Sequence, residues 1–197
     1  MKIITQGLPF VEFVDFFPPD VLQEIKDEIS KKSLLVKNKE DWKDGGKEYS
    51  RWHPDSSSLI VKRVYDALYQ PKVKEVVSKK ADLCWKWFVS MPTSIEVQVT
   101  AYNPGDKYDW HQDHIGKEKR MLNYIIYLEE PEGGGELLVS NYTGSDQDKE
   151  LNPEMDYLIR PTPNTCVIMP SWMLHKVNPV KGGKRLTVNG HVQLDVK

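Results

Sequence analysis

From Ile95 onward the chain carries short segments in which apolar and polar residues alternate, each closed by a glycine or proline turn, and this pattern limits what it can fold into. Ile95, Val97, Val99 and Ala101 alternate with Glu96, Gln98, Thr100 and Tyr102, the period of a strand with one buried face. Residues 121–128, 136–140, 157–160, 165–169 and 186–194 supply further β-rich segments. Gly133-Gly134-Gly135 and Gly182-Gly183 punctuate them, as turn signals do. Short strands so arranged manage their edges by stacking two sheets. The expected fold class is α+β, mostly β: a double-stranded β-helix, or jelly roll, with N-terminal supporting helices.

Before residue 95 the pattern is mixed. Residues 10–17 read as a strand, and Pro18-Pro19-Asp20 then opens a helix, since proline is tolerated in a first turn. Val21, Leu22, Ile25 and Ile29 recur at helical spacing, with Lys26, Lys31 and Lys32 on the solvated side. A second helix begins at the Ser56-Ser57-Ser58 cap cluster and turns Leu59, Ile60, Val64 and Leu68 inward. Residues 72–79 form a short third helix. Residues 37–55 and 141–156 read as irregular, the first as a lid or a plain loop, the second as a surface excursion. Trp85 and Trp87 read as sheet or core aromatics.

Chemistry concentrates at His111-Gln112-Asp113. On an extended segment, residues i and i+2 point to the same side, so His111 and Asp113 reach one metal while Gln112 points away. His175 comes from another strand. Two imidazoles and one carboxylate hold Fe(II) on one face and leave open positions opposite. With five histidines in the chain, one such tripeptide arises easily by chance, and the surroundings give it weight. Tyr102 and Pro104-Gly105 precede it, Tyr127-Leu128 closes the next strand, and His175 leads to Val177 and Pro179-Val180. Arg185 stands ten residues past His175. His53, His114 and His191 read as structural or surface histidines.

As a set, these features resemble the prolyl 4-hydroxylase-like branch of the 2-oxoglutarate/Fe(II)-dependent dioxygenases, over residues 95–194. The resemblance implies Fe(II) held by His111, Asp113 and His175, with O2 and 2-oxoglutarate as co-substrates and ascorbate as reductant. It implies that Arg185 pairs with the far carboxylate of 2-oxoglutarate, as a planar guanidinium can with two charge-assisted bonds, and that Tyr102 touches the same molecule. Thr187 shares Arg185's side of the strand and can hydrogen-bond that carboxylate; Gln98 and Asn123 line the same pocket. Peptidyl proline is the implied substrate. Trp52, Trp110 and Trp172 are candidate walls for its rings, with core or rim packing as the alternative for the last two. Residues 37–55 match the family's mobile substrate loop in position only.

At 197 residues, one domain is expected, with 1–94 as helical support and substrate-loop region and 95–197 as catalytic core. A net charge of −2 gives no pull toward nucleic acid or membrane, and a peptide or small molecule is the partner the resemblance implies. Cys84 and Cys166 stand far apart without a CxxC, which argues against a disulfide framework or zinc ribbon. The first residues are too short and interrupted for a signal peptide, and a cytoplasmic setting is expected. Two other classes use the same residues: a zinc hydrolase, which has no need of Arg185, and a non-catalytic jelly-roll binding module.

Overall fold

The computed structural model describes residues 1–4, 10–31, 36–42, 45–80, 83–114, 119–140 and 156–195. The polar stretch 141–156 therefore lies, but for its last residue, outside the described residues. In chain order the elements are β1 (Lys2–Ile4), β2 (Val11–Val14), α1 (Pro19–Ser30), β3 (Val36–Trp42), β4 (Gly45–Trp52), α2 (Leu59–Leu68), α3 (Pro71–Ser78) and α4 (Leu83–Ser90). Then come β5 (Thr93–Tyr102), β6 (Lys107–His111), β7 (Arg120–Glu129), β8 (Gly133–Gly134), β9 (Leu137–Ser140) and β10 (Asp156–Ile159). The chain ends in β11 (Thr165–Pro170), β12 (Leu174–Val177), β13 (Val180–Gly182) and β14 (Arg185–Leu194).

Hydrogen bonding links the strands in the order β1-β2-β11-β7-β14-β5-β4-β6-β12-β9-β10, with β3 on β4 and a separate β13-β8 ribbon. Besides β3, β4 pairs with two strands along its length, and so joins the two layers. Its Ser50–Trp52 end pairs with β5, and Lys47 and Glu48 pair with β6. The result is the expected jelly roll, one layer built around β7, β14 and β5 and the other around β6, β12 and β9.

Two apolar clusters follow from strand alternation. The outward side chains Val97, Val99, Leu122, Ile126, Val188 and Val192 pack with Ile25, Ile60, Val64, Leu68, Val73 and Val77 of the helices. Full burial of each such side chain is worth about 1.5–3 kcal/mol, so the helices are the outer lining of one sheet. A second cluster, with Tyr102, Tyr127, Val139, Val167, Met169 and Val177, fills the space between the layers. The helix starts obey their local signals: Pro19 and Pro71 occupy first turns, and the Ser58 side chain accepts from Ile60 N at 3.2 Å. The same hydroxyl donates to Glu28 at 2.7 Å, tying α2 to α1.

Three expectations are corrected. Most of the described part of 37–55 is strand: β3 and β4 form an antiparallel pair that extends the sheet, and only 53–55 remain irregular. The sequence hides this because Lys47 and Arg51 of β4, with His53 just beyond it, line a cavity, and only Tyr49 between them joins an apolar cluster. Trp85 is core, but on a helix, α4, not a sheet. That helix is apolar almost throughout, and a continuous apolar run has no period to read. The strand read over 10–17 spans only Val11–Val14; Phe17 is held instead by Asn164, whose amide bonds both its N–H and its carbonyl at 2.9 Å.

Candidate active site

Strands β6 and β12 run side by side, with His111 directly opposite His175. Their rings lie 4.1 Å apart. Asp113, two residues past His111, brings its carboxylate to 3.3 Å from His175 Nε2 and 3.7 Å from His111 Nε2. One ligand atom from each of the three residues lies within 4.8 Å of the others. The pattern of i and i+2 on one side is therefore realised, and the second histidine arrives by strand pairing.

The backbone also fixes how each imidazole is presented. His111 Nδ1 lies 2.8 Å from the Asp109 carbonyl, and His175 Nδ1 lies 2.8 Å from the Met173 carbonyl. A carbonyl only accepts, so each Nδ1 carries the proton and each Nε2 offers a lone pair to the shared point. The His111 ring also stacks on Tyr108, with centroids 3.6 Å apart. Burial, helped by the neighbouring His175, lowers the His111 pKa to about 3, so the ring is neutral near pH 7. Burial alone raises the Asp113 pKa, but its close contacts with His175 and His111 outweigh that and lower it overall. A neutral imidazole and an ionised carboxylate are the protonation states a metal requires.

The three residues open into a cavity of about 460 Å³. Its walls include Tyr102 and Arg185 at one end, Gln98, Thr100, Thr187 and Asn189 between, and His191 and Asn123 beyond. These are the inward members of β5, β14 and β7, so alternate residues serve the core on one side and the cavity on the other. Arg185 pairs with Tyr102 across the β14–β5 ladder. It is only 2% exposed, yet among the described residues its Nε and Nη2 have no hydrogen-bond partner, and neither has the buried Tyr127 hydroxyl. The guanidinium lies 5.0 Å from the Tyr102 ring centre and 5.1 Å from that of Tyr127. Gly135 leaves room for it, since an added Cβ would press on Arg185 Cδ at 3.2 Å. A buried, incompletely bonded guanidinium is costly to maintain unless an anion completes it. Burial raises the pKa of both tyrosines, so they remain protonated. The donor set fits a carboxylate at this end and a divalent metal at the other.

Several expected roles are redrawn. Thr187 Oγ1 is 3.2 Å from Asn189 Oδ1 and 3.4 Å from the Thr100 carbonyl. The hydroxyl is directed to those acceptors here, and Thr187 lines the cavity beside Arg185. Asn123 lines the cavity but donates to Asp113 Oδ2 at 2.7 Å; its attachment is to the ligand set. Trp52, Trp110 and Trp172 do not line the cavity. Trp52 and Trp172 pack against the two apolar clusters. Trp110, next to His111 in a strand, leaves on the other face and lies under Lys176. Tyr49, Tyr108 and Tyr127 were not anticipated; Tyr127 was detectable as the inward residue two places past Ile125 and four past Asn123.

The family model of the 2OG-Fe(II) oxygenase superfamily matches residues 97–193. A PKHD-type hydroxylase of Crocosphaera subtropica is 30% identical over 103 residues, which are 49% of this chain and 41% of that protein. The match thus spans less than half of the length of that relative. Among solved structures, a Pseudomonas putida prolyl-4-hydroxylase superposes with a TM-score of 0.69 at 18% identity, covering 95% of this chain and 94% of the other. A viral collagen prolyl hydroxylase of Paramecium bursaria Chlorella virus-1, in its 2OG complex, gives 0.65 at 18% identity, over 98% and 99% of the two chains. At such identity these structures establish the fold.

Proposed function

This chain belongs to the 2OG-Fe(II) oxygenase superfamily, and from that premise we propose that it hydroxylates an unactivated C–H bond, consuming 2-oxoglutarate and O2 and releasing succinate and CO2. The observation that carries the reading is the joint presence of a His-Asp-His cluster and, in the same cavity, the buried and incompletely bonded Arg185. A zinc hydrolase has no use for the second feature, and a non-catalytic metal-binding jelly-roll module is distinguished by forming no succinate.

His111, Asp113 and His175 would hold the iron, and Arg185 with the Tyr127 hydroxyl would receive the far carboxylate of 2-oxoglutarate. Fe(II) with this co-substrate supplies the oxidising chemistry. The protein's own part is positional. The Asp109 and Met173 carbonyls set the imidazole tautomers. Tyr108 and Tyr102 cover the ligand set and the guanidinium, limiting water. The β4 wall of Lys47, Tyr49, Arg51 and His53 borders the side from which a substrate is reached.

Peptidyl proline is the substrate we favour, supported by the likeness to prolyl hydroxylases. Tyr49 and Tyr108 replace the tryptophans as aromatic surfaces for its ring. Among the described residues no helix is long and apolar enough to cross a membrane, and we read the protein as acting in the cytoplasm on a peptide or small molecule, with ascorbate as reductant. The test is succinate formation by iron-loaded protein on admitting O2, with and without proline-containing peptides. A peptide-dependent rise, with a hydroxyproline mass shift of the peptide, supports the full reading. Succinate without peptide dependence, lost in His175→Ala, keeps the oxygenase and rejects the peptide. No succinate with iron and 2-oxoglutarate bound rejects the reaction.

A further inference from the structure

Asp113 is gripped from outside the ligand set. Asn123 donates from Nδ2 to Asp113 Oδ2 at 2.7 Å. A carboxylate only accepts, so this bond decides which end of the amide faces Asp113. The Asn123 carbonyl oxygen then points away and lies 2.8 Å from His191 Nδ1. It too only accepts, so His191 Nδ1 carries the proton. Strand register sets this arrangement: His191 on β14 lies opposite Asn123 on β7 and opposite Glu96 on β5. His191 Nε2 is 3.9 Å from Glu96 Oε2, Arg120 binds that carboxylate at 2.7 Å, and Arg120 Nη1 returns to the Asp113 carbonyl at 3.5 Å. Asn123 is 2% exposed and His191 9%.

Geometry at the neighbouring residue supports a dedicated arrangement. A Cβ on Gly190 would overlap the Glu96 carbonyl oxygen. That carbonyl also accepts from the Tyr124 hydroxyl at 2.6 Å. Strands β5 and β14 therefore approach closely where His191 meets Asn123. An apolar ring would fill the same volume without the cost of burying a polar group. What only a donor supplies is a fixed orientation for the Asn123 amide. An amide bonded at both ends cannot turn, and it holds the carboxylate beyond it.

We propose that His191 is a positioning residue for the metal centre, holding the Asp113 carboxylate in one orientation through Asn123. The inference rests on the reading of His111, Asp113 and His175 as the metal ligands. Loss of an outer partner of this kind costs about 10- to 100-fold in metal affinity.

Co(II) binding to the purified full-length chain, measured by titration calorimetry without O2, tests it. His191→Phe keeps the ring's bulk and removes the donor; it is expected to raise the Kd at least about 10-fold. His191→Gln, which retains a donor, is expected to recover most of the affinity. Asn123→Ala breaks the chain at its other link and is expected to match His191→Phe, which covers the case in which the Phe variant does not fold. Equal Kd values in wild type and the folded variants would overturn the proposal. So would equal losses in His191→Phe and His191→Gln, which would assign the effect to packing. Failure of the wild type itself to bind Co(II) would instead reject the ligand assignment on which the proposal stands.

Discussion

Two faces of the same strands make the sharpest contrast in this molecule. On β14, Val188 and Val192 point outward into the helix-backed core, while Arg185, Thr187, Asn189 and His191 point into the cavity. On β5, Val97 and Val99 answer Gln98, Thr100 and Tyr102 in the same way. Both faces are largely buried, so burial alone does not separate them. What separates them is how burial is compensated. The outer face is apolar and, apart from the Trp85 Nε1 that has no partner among the described residues, complete in itself. The inner face is polar and partly unsatisfied, which makes sense when ligands complete it. Substitutions on the outer face should therefore act on stability, and those on the inner face on binding and turnover.

The largest expected effect is on the outer face. Val188 is fully buried, and Val188→Asp places a carboxylate among apolar side chains at a cost of several kcal/mol, against a typical total stability of about 5–15 kcal/mol. We expect the variant to be unfolded by circular dichroism; a native spectrum with an unchanged melting temperature would break the contrast. Next is Ile60→Ala, also at a fully buried position: a loss of about 2–5 kcal/mol in denaturant unfolding, with the metal affinity of the folded protein unchanged.

On the inner face, Asp113→Ala should abolish succinate formation and lower the stability of the metal-free protein only modestly, by about 1–3 kcal/mol, because the Asn123 amide loses its acceptor. A large fall in stability would mean that Asp113 serves the fold. Arg185→Ala should raise the 2-oxoglutarate KM about 10- to 100-fold, the loss of charge-assisted hydrogen bonds worth about 1.5–3 kcal/mol. An unchanged KM would remove Arg185 from the co-substrate site. A pH dependence is expected as well. Burial depresses the His111 pKa from 6.5 to about 3, so the folded metal-free protein binds fewer protons there than the unfolded chain. Its contribution to stability is complete above pH 6.5 and is lost as the pH falls toward 3. Denaturant midpoints in chelator should decline across that window, and His111→Phe should flatten the decline.

The legibility of the sequence followed the same division. His111 and Asp113 were readable from their i, i+2 spacing, although β6 ends at His111 and Asp113 stands in the bend beyond it. Arg185 was readable from its place after His175. The apolar alternation of β5 and the helical spacing of α1 and α2 gave the outer core directly. The wall formed by β4 was hidden, since its inward residues are Lys47, Arg51 and His53, which in a sequence look like solvent-facing charge. His191 was hidden for another reason. Its partner Asn123 is 68 residues away, and only the register of β7 against β14 brings them together. The tryptophans misled because nearness to a ligand in sequence does not mean the same face of a strand.

The most direct test is a crystal structure with Mn(II) and 2-oxoglutarate, grown without O2. The account predicts the metal on His111, Asp113 and His175, and the far carboxylate of 2-oxoglutarate on Arg185 and the Tyr127 hydroxyl. A metal bound elsewhere, or a co-substrate that leaves Arg185 without an anionic partner, would contradict it.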